Sequence, residues 1–252
     1  MGTLYLVSTP IGNLEDITIR ALKTLFSVDI IACEDTRVTG QLLELLKKKY
    51  ASFLPSDKKP AFISYRDTNE QSIAAELIHK LELQKNVALV SDAGTPLVSD
   101  PGFRIVTQAQ KRNIPIVVVP GVSAFLTALT GSGLPANTFT FLGYLPEKQG
   151  KRIAELKNIH SHHSRNWNSF NSGNEDPLPS RTYIVYVAPH KLLQTLDDME
   201  EVFGNISLVL ARELTKLHEE YWRGTIKEAL VHFPNPQGEI VILFRLLNTP
   251  QA

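Results

Sequence analysis

The chain has 252 residues, 26 Lys+Arg against 26 Asp+Glu, 43% hydrophobic residues and one cysteine. At that size an ordinary apolar core suffices, so a disulfide- or metal-stapled miniature scaffold is excluded. Zero net charge excludes a histone-like polycation, and any contact with nucleic acid has to be local. Through the first half, short apolar runs alternate with amphipathic segments. Predicted strands fall at Leu4–Ser8, Asp29–Glu34, Ala61–Tyr65, Val87–Ser91 and Pro115–Val119. Predicted helices lie between them at Ile17–Ser27, Thr39–Lys48, Glu70–Leu83 and Pro101–Arg112, the last opened by Ser99, Asp100 and Pro101 as a capping sequence. This alternation predicts a parallel sheet with helices on both faces.

A helix at Ser123–Thr130 and a strand at Phe139–Leu142 follow. Asn113 to Pro146 carries no charge, but its prolines and glycines interrupt any membrane-length helix, so it reads as buried strands and turns. Ile159 to Ser180 is rich in His, Asn and Ser and poor in large apolar side chains, which predicts a linker or mobile insertion. Beyond it the pattern predicts strands at Thr182–Val187, Ser207–Ala211 and Glu239–Leu246, with helices near His190–Val202 and Thr225–His232. The expected architecture is two α/β domains, residues 1–119 with a parallel sheet and 120–252 with a mixed sheet. Lacking a secretory leader pattern and a membrane span, the chain is expected in the cytoplasm.

Three predicted strands end in loops of small residues: Ser8 to Asp16 with Pro10 and Gly12, Ser91 to Gly102, and Pro120 to Ala124. Small residues let backbone approach a ligand, and ligands of open α/β sheets bind beyond the carboxyl ends of strands. Asp92 adds an acceptor for an ammonium or hydroxyl. None of these loops is a dinucleotide fingerprint or a P-loop, which need fixed glycine and Lys-Ser/Thr spacings. At the same edge Glu34, Asp35 and Arg37 can position a polar substrate or take a proton, or form an ordinary charged helix start. Downstream, Arg212 to Gly224 concentrates charge after an apolar strand, either on a solvated helix or at a site. His160, His162 and His163 lack regular ligand spacing, so no metal is assigned, and Cys33 reads as a buried apolar residue. Two basic stretches, Arg37 to Arg66 and Lys148 to Arg165, have the look of local phosphate contacts.

Taken in order, Thr9 to Asp16, Glu34-Asp35-Thr36-Arg37, Ser91 to Gly102, Pro120 to Ala124 followed by Ser132 to Pro135, and Arg212 to Lys216 resemble the ribosomal RNA small subunit methyltransferase I family, within the tetrapyrrole methylase superfamily. The resemblance implies two α/β domains with S-adenosyl-L-methionine in the cleft between them. It implies cofactor contacts at Pro10, Gly12, Asp92, Ala93, Gly94, Thr95, Ser123 and Ala124, with Ala188, Ala211 and Ile240 from the second domain. The expected reaction is 2′-O-methylation of a decoding-centre cytidine of 16S rRNA in the small ribosomal subunit, with Asp35, Arg37, Glu213 and Lys216 as catalytic candidates. A homodimer is the expected assembly. The alternatives are a tetrapyrrole C-methyltransferase on the same scaffold and a non-catalytic RNA-binding module. One departure stands out: Tyr186-Val187-Ala188-Pro189-His190-Lys191 replaces the family's usual Glu and Arg with Val187 and Lys191. Arg and Lys are not equivalent where two parallel hydrogen bonds are needed.

Overall fold

The computed structural model describes residues 1–55, 59–170 and 181–246. The chain divides into two compact units, Met1–Ser123 and Ala124–Ala252. In the first, β1 (Leu4–Val7), β2 (Ile30–Cys33), β3 (Ala61–Ser64), β4 (Val87–Leu89) and β5 (Ile116–Val119) form an all-parallel sheet in the order β3-β2-β4-β1-β5. Strands covered on both faces read as continuous apolar runs, and the period of two sorts their side chains between two cores. Ile31, Cys33, Ala88 and Val90 pack with α1 (Ile19–Leu25) and α2 (Thr36–Tyr50). Ile30, Ala32, Val87 and Leu89 pack with α3 (Glu70–Glu82) and α4 (Phe103–Lys111) on the opposite face.

That arrangement locates the ligand end of the sheet. The neighbouring strands β1 and β4 send their helices, α1 and α4, to opposite faces. Their carboxyl ends therefore form a topological switch point, where an open α/β sheet leaves a crevice.

Helices α1 and α2 begin at conventional caps: Thr18 Oγ1 accepts from the Ala21 amide at 3.0 Å and Asp35 from the Arg37 amide at 2.8 Å. The fourth helix differs from expectation. It starts at Phe103 with Gly102, φ 148°, at the N-cap position, so Ser99, Asp100 and Pro101 are not its cap. Left-handed backbone at Leu97 (φ 71°) and Ser99 (φ 67°) carries the chain past Pro101 before the helix begins.

The second unit holds β6 (Phe139–Tyr144), β7 (Thr182–Val187), β8 (Ser207–Arg212), β9 (Glu220–Thr225) and β10 (Ile240–Arg245) in the order β6-β7-β10-β8-β9. Only the β6–β7 pair is parallel, which makes the sheet mixed. Helix α5 (Ala124–Ser132) covers one face, and α6 (Gln149–Phe170), α7 (Leu192–Phe203) and α8 (Ile226–His232) cover the other.

Two expectations fail here. Residues 159–170, expected in a mobile insertion, continue α6; residues 171–180 of that stretch lie outside the described residues. The helical stripe starts upstream, where Arg152, Leu156 and Ile159, spaced by four and three, are buried on one face. The charged run after β8 holds a strand, β9, where a solvated helix was one of the readings. Its side chains alternate: Tyr221 and Arg223 donate to the α5 carbonyls of Thr127, Gly131 and Ser132, while Trp222 packs against Phe233 and His232. Polar and charged residues suit it because it is the edge strand of its sheet.

Arg152 corrects another expectation, since it is not available to phosphate. It is 2% exposed; its Nε donates to Asp198 at 2.6 Å and its Nη1 to the Glu147 carbonyl at 2.8 Å. Gln149 Nε2 donates to the other Asp198 oxygen at 2.8 Å. Removing one member of such a buried pair leaves an uncompensated charge. Asp198→Ala is therefore expected to lower unfolding free energy by about 3–5 kcal/mol in urea titration, whereas Lys151→Ala, one residue away and exposed, should change it by less than about 0.5 kcal/mol.

Candidate active site

The switch point in the first unit is closed by backbone pairing. The Thr9 amide donates to the Gly94 carbonyl at 2.8 Å and the Gly94 amide to the Thr9 carbonyl at 3.1 Å, an antiparallel bridge beyond the ends of β1 and β4. Ser8 Oγ lies 3.1 Å from Thr95 Oγ1, which donates to the Val122 carbonyl at 3.2 Å. Thr9 Oγ1 donates to the Ser91 carbonyl at 3.3 Å. The loops after β1, β4 and β5, which carry Pro10, Asp92 to Thr95 and Ser123, are thus tied into one surface.

Two glycines there have no side chain for a physical reason. Gly94 has φ 83°, and a Cβ on it would meet Ile11 Cγ2 at 3.3 Å. A Cβ on Gly121 would fall 2.8 Å from the Ser8 Cβ. Pro10, Gly94 and Pro96 are buried, so this surface presents mainly backbone; Ala93 and Gly12 are exposed.

Acidic side chains gather at the same edge. The Asp35 amide donates to Asp92 Oδ1 at 3.0 Å, joining the end of β2 to the loop after β4. Asp35 itself is bound by Arg37, with Nη2 to Oδ2 at 2.7 Å and Nε to Oδ1 at 3.2 Å. That guanidinium holds the Asp35 carboxyl well below the usual carboxylate range. The Arg37 side chain is 84% exposed, so its outer face is open to solvent. Burial, then the charges of Asp92 and Asp67, push Glu34 up. Asp100 is pushed up to about 7 by burial and by the charge of Glu34. Asp100 was read from sequence as a helix cap; its role as a half-buried acid follows only from the loop's path.

In the second unit the register brings Ala188, Ala211 and Ile240 to one sheet edge. Ile240 pairs with Val187 on one side and Arg212 on the other, and Val241 pairs with Ala211. Just beyond, Glu213 (φ 50°) and Thr215 (φ 63°) occupy left-handed backbone, which a β-branched residue such as Thr rarely adopts. Lys216 Nζ donates to Glu213 Oε1 at 2.9 Å and lies 3.3 Å from Glu239 Oε2. The Glu239 amide also donates to Glu213 Oε1, at 3.0 Å. These donors hold the Glu213 carboxyl below its ordinary range, while its carboxylate and that of Glu239 raise Lys216 against burial. Gly238 is required here, because a Cβ would come within 2.5 Å of the Glu213 carboxylate group. Arg212, the next cation, pairs with Glu220 at 2.9 Å.

Glu70 is the residue that sequence reasoning missed. Gly102 has no side chain to satisfy the first amides of α4, and Glu70 Oε1 supplies the acceptor from α3. A glycine at the N-cap position is the available signal, because those amides must find a partner elsewhere.

Asp100 makes the pH dependence of stability specific. A carboxyl whose pKa is higher folded than unfolded binds its proton more tightly in the fold. Its contribution is complete below the ordinary value of 3.8 and is lost as pH rises toward about 7. Asp100→Asn removes that loss, so it should raise Tm relative to wild type more at about pH 8 than at about pH 4, read by thermal melts. An equal difference at both pH values would count against the assignment.

The model of the Tetrapyrrole (Corrin/Porphyrin) Methylases matches residues 3–230. The ribosomal RNA small subunit methyltransferase I of Mycoplasmopsis pulmonis is 43% identical over 246 residues, covering 97% of this chain and 98% of that protein. That of Thermotoga maritima is 41% identical over 245 residues, covering 96% and 98%. Among solved structures, a uroporphyrin-III C-methyl transferase from Thermus thermophilus complexed with S-adenyl homocysteine superposes with a TM-score of 0.60 at 17% identity, covering 96% of this chain and 97% of that one. A cobalt precorrin-4 methyltransferase gives 0.62 at 14%, covering 96% and 94%. At these identities the structures show a shared fold, and the curated relatives show the closer kinship. The chain belongs to the tetrapyrrole methylases and, within them, to the ribosomal RNA small subunit methyltransferase I family.

Proposed function

We propose that this chain transfers a methyl group from S-adenosyl-L-methionine to ribosomal RNA of the small subunit, and that the acceptor is the ribose 2′-hydroxyl of a cytidine. The observation that carries the reading is the stitched surface at the switch point, where the loops after β1, β4 and β5 bond to one another beyond the carboxyl ends of their strands. The acidic edge around it suits a cofactor that bears a sulfonium and an α-ammonium group. Pro10, Gly12, Asp92, Ala93, Gly94, Thr95, Ser123 and Ala124 are the first-unit residues assigned to hold it, and Ala188, Ala211 and Ile240 those of the second.

The bound cofactor supplies an electrophilic methyl carbon, so the protein's task is chiefly to hold the acceptor oxygen in line and to receive its proton. Methyl transfer forms one carbon–oxygen bond and breaks one carbon–sulfur bond, and the hydroxyl proton leaves to a base or to water. Arg37, anchored by Asp35 with its outer face in solvent, is suited to a phosphate beside the target ribose. Lys216, steadied by Glu213 and Glu239, is assigned the same kind of contact. Asp35 and Glu213, both held low by cations, are ionised at neutral pH and act as anchors more readily than as bases. A tetrapyrrole C-methyltransferase remains the second reading on the same scaffold, because the structural neighbours carry that activity in their names.

The test is methylation of small ribosomal subunits from a strain that lacks the modification, followed by mass mapping of the modified nucleoside. 2′-O-methylcytidine is the expected product; a base-methylated nucleoside would overturn the ribose assignment, and uptake of methyl only by a tetrapyrrole would favour the second reading.

RNA binding makes a separate prediction. Lys151 and Lys157 are exposed on α6, unlike the buried Arg152, whereas Lys49 is already paired with Glu15 at 2.8 Å and Lys58 lies outside the described residues. Lys151→Ala with Lys157→Ala should weaken RNA binding and reduce the salt slope by about 0.7–0.9 for each phosphate that is no longer neutralised. An unchanged slope would make these lysines an ordinary solvated face.

A further inference from the structure

The loop that joins β4 to α4 is held at both ends, and only one end belongs to the switch point. Upstream, the Thr9–Gly94 bridge fixes it. Downstream, a single oxygen, Glu70 Oε1, accepts from the amides of Gly102 at 3.0 Å and Arg104 at 3.2 Å and from the Tyr65 hydroxyl at 3.1 Å. Glu70 Oε2 lies 3.2 Å from Arg104 Nε, and the Glu70 side chain is 13% exposed. Tyr65 is fully buried at the end of β3.

Between the two anchors Leu97 and Ser99 take left-handed backbone, and a Cβ at Gly102 would lie 2.8 Å from Leu97 Cγ. Non-glycine residues keep such backbone only when their surroundings over-determine it. The loop's path is therefore imposed from outside, by contacts that close the helix behind it.

We propose that Glu70 is a positioning residue for cofactor binding: by capping α4 from α3 it holds the Ser91–Gly102 loop in the path that presents Asp92 to Thr95 to S-adenosylmethionine. This rests on the reading of that loop as the cofactor site. Glu70 acts through the loop, and what it contributes is reach and an acceptor oxygen. Asp is one methylene too short to span from α3 to the Gly102 and Arg104 amides. Gln keeps the reach and the carbonyl oxygen.

The experiment is calorimetry of the full chain with S-adenosylhomocysteine as the probe, on wild type, Glu70→Asp and Glu70→Gln, with amide hydrogen exchange at Gly102 and Arg104. Glu70→Asp should raise Kd about tenfold or more, deprotect both amides, and raise KM for S-adenosylmethionine while leaving KM for RNA unchanged. Glu70→Gln should stay within about threefold of wild type. A folded Glu70→Asp with wild-type affinity, a Glu70→Gln as weak as Glu70→Asp, or an equal loss in both KM values would overturn the proposal. If Glu70→Asp does not fold, wild-type amide exchange with and without S-adenosylhomocysteine carries the test: linkage requires the probe to slow exchange at Gly102 and Arg104, and unchanged exchange there overturns the proposal. A wild-type chain that takes up no S-adenosylhomocysteine defeats the cofactor reading itself; wild-type uptake that the variants leave unchanged defeats only the role of Glu70.

Discussion

Two backbone hydrogen bonds, exchanged between Thr9 and Gly94, organise the first unit's functional edge. They sit where β1 and β4 part, with α1 sent to one face and α4 to the other. A divergence of that kind leaves unpaired backbone groups beyond the strand ends, and something has to satisfy them. Here the two loops satisfy each other, and the hydroxyls of Ser8, Thr9 and Thr95 extend the pairing to the loops of β4 and β5. Glycine at 94 and 121 follows from this closeness, since a side chain at either position would press on the neighbouring loop.

The electrostatics of that edge follow from the same convergence. Strands β2 and β4 lead into Glu34, Asp92 and Asp100. The Asp35 carboxyl, bonded by Arg37, drops, while Asp92 Oδ1 accepts from the Asp35 amide. Burial first, and neighbouring negative charge second, raise Glu34 and Asp100. An edge with this much negative charge favours a cationic ligand over an anionic one.

The second unit solves a comparable problem with different means. Its edge beyond β8 and β10 bends through left-handed Glu213 and Thr215, and a carboxylate, a lysine and a backbone amide hold the bend. Deeper in, the Arg152–Asp198 pair joins α6 to α7, with Gln149 and two carbonyls completing most of its hydrogen bonds. Arg152 Nη2 has no partner among the described residues. Polarity of this kind inside a core contributes little net stability, but its loss is costly, so it constrains how α6 can lie.

Periodicity and local chemistry, both carried by neighbouring residues, made the parallel sheet, its helices and the three small-residue loops legible in the sequence, and the ordered motifs from Thr9 to Lys216 made the family legible. What tertiary structure alone decided involves partners far apart in the chain. Residues 159–170 looked too polar to order, yet the helix runs on through them from a buried stripe of Arg152, Leu156 and Ile159, whose burial depends on the sheet beneath. The charged run after Arg212 read either as a solvated helix or as part of a site, and only pairing with β8 makes Glu220–Thr225 a strand. Ser99-Asp100-Pro101 satisfies the local rules for a helix start, but α4 begins only at Phe103, and the amides of Gly102 and Arg104 find their acceptor on Glu70, more than thirty residues upstream. Local pattern specifies elements at short range; caps, charges and pKa values at this edge are set by groups that meet only once the sheet has formed.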